Sequence, residues 1–153
     1  MATVREIYQL LNTLAPFSIQ MEFDNAGFLV GRGDQAVDRI LVSLDITEPV
    51  VSEAAERGAQ LIVSHHPVLF HPARSITDGD PTGRILLALV ERKIAAICAH
   101  TNLDAVAGGV NDALAHRLDL VQIEPLKQGG VDASGRPYGI GRIGNTVGAP
   151  MYA

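Results

Sequence analysis

Apolar positions along the chain fall into two alternating rhythms. Val4, Ile7, Leu10, Leu11 and Leu14 recur at helical spacing after Thr3 and stop at Pro16, which predicts a first helix over residues 4 to 14. Ile40-Leu-Val-Ser-Leu-Asp45, Leu61-Ile-Val-Ser64 and Ile94-Ala-Ala-Ile-Cys-Ala99 hold short, consecutive apolar runs instead. They are too brief for helices and read as buried strands. Between them lie capped helices: Thr47 opens one that tolerates Pro49 in its first turn and closes at Gly58, and Asp80-Pro81 opens another that ends near Lys93. Asp24-Asn-Ala-Gly27 is turn chemistry ahead of a short strand from Phe28 to Val30, and a further helix is predicted from Gly109 to Leu118. Beyond Val121-Gln-Ile123 the pattern weakens into a glycine-rich stretch, from Gln128 to Gly148, predicted as a loop with one or two strands, Tyr138 to Ile143 foremost. Strand, helix, strand occurs twice in succession, so the strands should pair in parallel with right-handed crossovers. The expected fold is α/β, a mixed, mostly parallel sheet flanked by helices on both faces.

Composition supports a small α/β unit and excludes several functions. The 153 residues suit a single domain, 1–153, and an apolar content of 47% is ample for a core. The net charge is −5 and the 12 Lys and Arg are scattered, which argues against a nucleic-acid surface. Cys98 is the single cysteine and lies inside an apolar run, so a buried thiol is expected and no disulfide framework exists. The start has no apolar leader pattern, and no run approaches the roughly 18 apolar residues of a membrane span. A cytoplasmic location is the corresponding expectation.

The chemistry gathers where the apolar runs stop. Leu61-Ile-Val-Ser-His-His-Pro67 delivers two adjacent histidines at a strand end that Pro67 keeps from extending. The run from Ile94 stops at His100, and Asp104 follows four residues later; the run from Ile40 stops at Asp45. Ligands of open α/β sheets bind beyond the carboxyl ends of the strands, so three ionisable strand ends point to one site. His65, His66 and Asp104 form a mixed nitrogen and oxygen donor set suited to Zn, Fe, Mn, Co or Ni. His100 reads as a hydrogen-bond partner of a ligand or a general acid/base, with a turn-capping role as the plain alternative. Asp45 reads as the carboxylate that orients a metal-binding imidazole, or simply as part of a strand-to-helix turn.

Four strings in register, Phe23-Asp-Asn-Ala-Gly-Phe-Leu-Val-Gly31, Ser43-Leu-Asp-Ile-Thr-Glu48, Ser64-His-His-Pro67 and His100-Thr-Asn-Leu-Asp104 with Gly108-Gly-Val-Asn-Asp112, resemble the signatures of a known family. It is the dinuclear-metal-centre family called GTP cyclohydrolase 1 type 2 homologues, or NGG-interacting-factor-like proteins. The resemblance implies two divalent ions, with His65 and His66 each binding one and Asp104 binding one of them. It also implies a small-molecule substrate, such as a nucleotide, and a toroidal homohexamer built from dimers. Members resemble a longer, two-part chain whose remaining ligands, a His and a bridging Glu, lie near its C-terminus. On this resemblance the sequence is expected to be the N-terminal part, its glycine-rich last 30 or so residues leading towards a second half. Asp112 and His116, one helical turn apart, are weak candidates to replace those ligands.

Other motifs match by letters only. Gly139-Ile-Gly-Arg-Ile-Gly144 and Gly31-Arg-Gly-Asp-Gln-Ala36 fit dinucleotide-binding patterns but lack the strand-then-helix setting, and Arg32-Gly-Asp34 sits in a chain without an export pattern. His71 reads as a surface loop residue, and Ser64 cannot form a triad with the adjacent histidine. Two classes of function remain: a metal-dependent hydrolase, or a non-catalytic metal-binding, regulatory or assembly module. Association is expected on separate grounds, because the tail from Gly139 carries Ile140, Ile143, Val147 and Met151 with no charged closing helix.

Overall fold

The computed structural model describes residues 1–132, 134–146 and 148. Helix α1 is Val4–Leu14, and Thr3 begins it with a capping box: its hydroxyl accepts from the Glu6 amide while Glu6 accepts from the Thr3 amide at 2.8 Å. Thr3 also belongs to the short strand β1 (Ala2–Thr3), which pairs antiparallel with β3 (Ala36–Val37). The main sheet holds β2 (Gly27–Val30), β4 (Ile40–Ser43), β5 (Leu61–Ser64) and β6 (Ala95–Cys98), in the order β2-β6-β5-β4. Strands β4, β5 and β6 run parallel and β2 is antiparallel to β6. The mixed, mostly parallel sheet expected from the sequence is therefore present.

Helices α2 (Glu48–Glu56) and α3 (Pro81–Glu91) start at Thr47 and Asp80, whose side chains accept from the Val50 and Gly83 amides. The period of two along each strand then sorts the core. Leu61, Ala95 and Ile97 pack with Val4, Ile7, Tyr8 and Leu11 of α1 on one face of the sheet. Ile62 and Ala96 pack with Val51, Ala54 and Leu89 of α2 and α3 on the other. Close packing of β2 against β6 requires Gly31, where φ is +115° and a Cβ would sit 2.7 Å from that of Ala95. No helix among the described residues is long and apolar enough to cross a membrane.

Two segments differ from the sequence expectation. Thr101–Ala105 forms a short helix, α4, which has too few residues for a periodic signal. It is held by Asn102, fully buried, whose Oδ1 accepts from the His100 amide and whose Nδ2 donates to Ala15 O at 2.7 Å. After α5 (Val110–Arg117), the strand expected over Tyr138 to Ile143 lies inside β8 (Pro137–Thr146), but the loop expected beside it is instead part of a long antiparallel hairpin that β8 forms with β7 (Leu120–Val131). Its glycines serve close strand approach rather than looping: a Cβ on Gly139 would lie 2.1 Å from Lys127 O. Ile140 and Ile143 are in β8, while Val147 and Met151 lie outside the described residues. The Gly139–Gly144 pattern is strand throughout, so its match to a dinucleotide motif is by letters alone.

Arg142 fastens the hairpin to the body. Its side chain, 4% exposed, donates to both carboxylate oxygens of Asp112 and to the carbonyls of Gly139, Gly141, Ala105 and Val106. Burial pushes the Asp112 carboxyl up, but the bonds from Arg142 and from the Gly108 amide outweigh it and hold it below the ordinary value.

Candidate metal centre

Parallel register brings the chemistry to one edge. Ser43, Ser64 and Cys98 are aligned across β4, β5 and β6, so the next residues of each strand emerge side by side. The ladder continues just far enough to fix them: His65 N donates to Ser43 O at 3.2 Å, His66 N to Leu44 O at 2.9 Å and Ala99 N to Ser64 O at 2.9 Å. Two buried side chains lock the carbonyls beneath the histidines, Ser64 Oγ donating to His66 O and Cys98 Sγ to His65 O. Burial, followed by the charge of Asp24, pushes the Cys98 thiol up to about 12, so it takes no thiolate role at neutral pH.

His65, His66 and His100 each bring one ligand atom to a common point, with those atoms within 4.8 Å of one another. Each imidazole is held from behind through Nδ1. That of His65 bonds to Ala99 O at 2.9 Å, that of His66 to Asp45 Oδ1 at 2.8 Å, and that of His100 to Asp24 Oδ1 at 2.8 Å. A carbonyl or carboxylate only accepts, so Nδ1 carries a proton, and in the neutral ring the lone pair is on Nε2. Asp104, on α4, places Oδ1 3.6 Å from His65 Nε2. The imidazole nitrogens of His65 and His66 with the Asp104 carboxylate, and no thiolate, fit a borderline divalent ion of the Zn, Fe, Mn, Co or Ni kind better than Ca or Mg, which require oxygen cages.

All five residues singled out from the sequence thus meet in one place, and the structure adds Asp24. The sequence leaves two readings for Asp24 and Asn25, approach to the site or turn formation alone; the Asp24 side chain is fully buried behind His100. Burial pushes its carboxyl up, and the bonds from Thr101, His100 and Asn25 more than reverse that, holding it below the ordinary value. Asn25 Nδ2 donates to Leu69 O, so the same turn steadies the loop that carries Phe70. The Phe70 ring lies 6.4 Å from that of His100 and 6.4 Å from Phe23, and both phenylalanines are exposed. Sequence offered one signal for these roles, the string from Phe23 to Gly27. Asp112 is occupied by Arg142 and the Gly108 amide, so the Asp112 and His116 pair offers no ligands. His71 is exposed against Phe70 and stays outside the cluster.

Comparison with known proteins gives a consistent result. The family model described as Duf34/NIF3 (NGG1p interacting factor 3) matches residues 2–151. The GTP cyclohydrolase 1 type 2 homolog of Halalkalibacterium halodurans is 41% identical over 125 residues, covering 82% of this chain and 34% of that relative. The protein of the same name from Clostridium perfringens is 37% identical over 140 residues, covering 92% and 52%. Among solved structures, a Bacillus cereus protein related to NIF3 superposes with a TM-score of 0.79 at 38% identity, over 84% of this chain and 36% of that one. Reduced HcgD from Methanocaldococcus jannaschii gives 0.75 at 34% identity, over 82% and 50%. The chain spans about a third to a half of the length of the relatives it matches.

Proposed function

The chain belongs to the Duf34/NIF3 family, and from that premise we propose that it carries the metal-holding part of a divalent-metal-dependent hydrolase. The observation that supports this reading most is the convergence of His65, His66 and His100, with Asp104 Oδ1 3.6 Å from His65 Nε2 and every imidazole of the cluster held through Nδ1. His65, His66 and Asp104 would hold the metal, and a divalent ion bound there would lower the pKa of water towards about 7 and polarise the bond under attack. Asp45 fixes the His66 ring, and His100 presents Nε2 to the same space, where it accepts or returns a proton. Two ions per protomer, as the family resemblance implies, would call for donors in addition to His65, His66 and Asp104.

The substrate in this proposal is a nucleotide or a related small molecule, in line with the name of the relatives. Exposed Phe70 and Phe23 beside His100 would stack a planar ring, and such stacking is tolerant of which base it meets. Zinc- or manganese-loaded protein incubated with GTP should consume it, as followed by chromatography, and chelator should abolish the loss. Bound metal without GTP turnover would favour the second reading, a non-catalytic metal-binding, regulatory or assembly module.

Self-association completes the proposal, with a hexamer as the state of the full-length protein, in the cytoplasm. The outer edge of β4 has no strand partner among the described residues, and Val42 and Leu44 there are 78% and 61% exposed. They line an aliphatic groove with Leu11, Leu14 and Val63 that runs up to His65. Light scattering at micromolar concentration should give a mass above that of one chain, and a clean 16.3 kDa species would refute association.

A further inference from the structure

We propose that Asp24 is a positioning residue of this centre, fixing His100 in the tautomer whose Nε2 lone pair faces His65 and His66. The purpose of the device rests on the metal reading above, but its test does not. Asp24 sits 76 residues before His100 in the turn ahead of β2, and its side chain is fully buried. A buried carboxylate is costly unless its oxygens are engaged, and here both are. Oδ1 accepts from His100 Nδ1 at 2.8 Å and from the Asn25 amide at 2.7 Å; Oδ2 accepts from the Thr101 amide at 3.1 Å and from the Thr101 hydroxyl. Each oxygen therefore faces a backbone N–H that cannot reverse. An asparagine would turn its own NH2 against one of them in either orientation, so the position calls for an ionised carboxylate.

The plain alternative is that Asp24 merely caps α4 through Thr101. A cap needs only one oxygen, however, and the second is given to His100. The other two imidazoles are held by the same device, His65 by the Ala99 carbonyl and His66 by Asp45, so each ring of the cluster has its own acceptor behind it. The three supports come from separate segments of chain, which makes their effects separable.

Long-range 1H–15N correlation of the labelled protein, without added metal and at pH about 9, above the ordinary histidine range, reads each tautomer directly. In the wild-type protein His100 should be protonated at Nδ1, as should His65 and His66. In Asp24→Ala the Nδ1–H form of His100 should be lost in favour of Nε2–H while His65 and His66 keep theirs, and Asp45→Ala should change His66 alone. An Nε2–H form of His100 in the wild-type spectrum overturns the assignment even if Asp24→Ala fails to fold. So does an unchanged Nδ1–H form of His100 in a folded Asp24→Ala variant. Absence of zinc binding would defeat the metal reading and leave this result standing.

Discussion

Alanine in place of His66 or Asp104 is expected to lower zinc affinity by more than about 100-fold, beyond the 10- to 100-fold loss that follows removal of a hydrogen-bond partner behind a ligand. His66 and Asp104 are not part of either packed core, so the variants should unfold near the wild-type temperature. His71→Ala supplies the control, because that exposed ring lies outside the cluster and its loss should leave affinity unchanged. Calorimetric titration of the metal-free protein, with elemental analysis after dialysis, makes the comparison. Equal metal content in wild type, His66→Ala and Asp104→Ala would show that any bound metal sits elsewhere.

The second large effect concerns stability. Arg142→Met removes the donor to five partners and leaves the Asp112 carboxylate with the Gly108 amide but without its cation, in a site where its side chain is 14% exposed. Breaking a buried pair from one side costs about 3–5 kcal/mol, roughly 10 °C in midpoint for a chain of this size. Loss of amide protection should concentrate in β7 and β8, and Arg142→Met combined with Asp112→Leu should recover much of the loss. The pair also sets a pH dependence. The folded Asp112 carboxyl is held below its unfolded value. Its stabilisation is therefore complete above the ordinary carboxylate range, near pH 4, and is lost as pH falls through the lowered folded value. Asp112→Asn lacks this part of the acid-induced loss; identical pH profiles for the two proteins would contradict the pairing.

Much of this architecture is written in local pattern. Leu61 to Ser64 is a strand because consecutive β-branched residues bury on both faces, and its parallel neighbours follow from the helices that Thr47 and Asp80 cap. Once β4, β5 and β6 are parallel and in register, Asp45, His65, His66 and His100 must emerge at one edge, which is why these candidate residues are legible in the sequence. Long-range polar contacts leave no such trace. Asp24 meets His100 across 76 residues, and Asn102 holds α4 by reaching Ala15 across 87. Of the hairpin, the strand over Tyr138 to Ile143 is legible and the rest is not: glycine signals a turn in isolation, whereas at Gly139 it admits a neighbouring carbonyl, a requirement visible only when both strands are present.

Anomalous diffraction at the zinc edge from crystals grown with zinc tests the central claim most directly. A peak within about 2.0–2.2 Å of the Nε2 atoms or carboxylate oxygens of His65, His66 and Asp104 is the expected result. Zinc peaks confined to other residues, with these side chains unliganded, would contradict it.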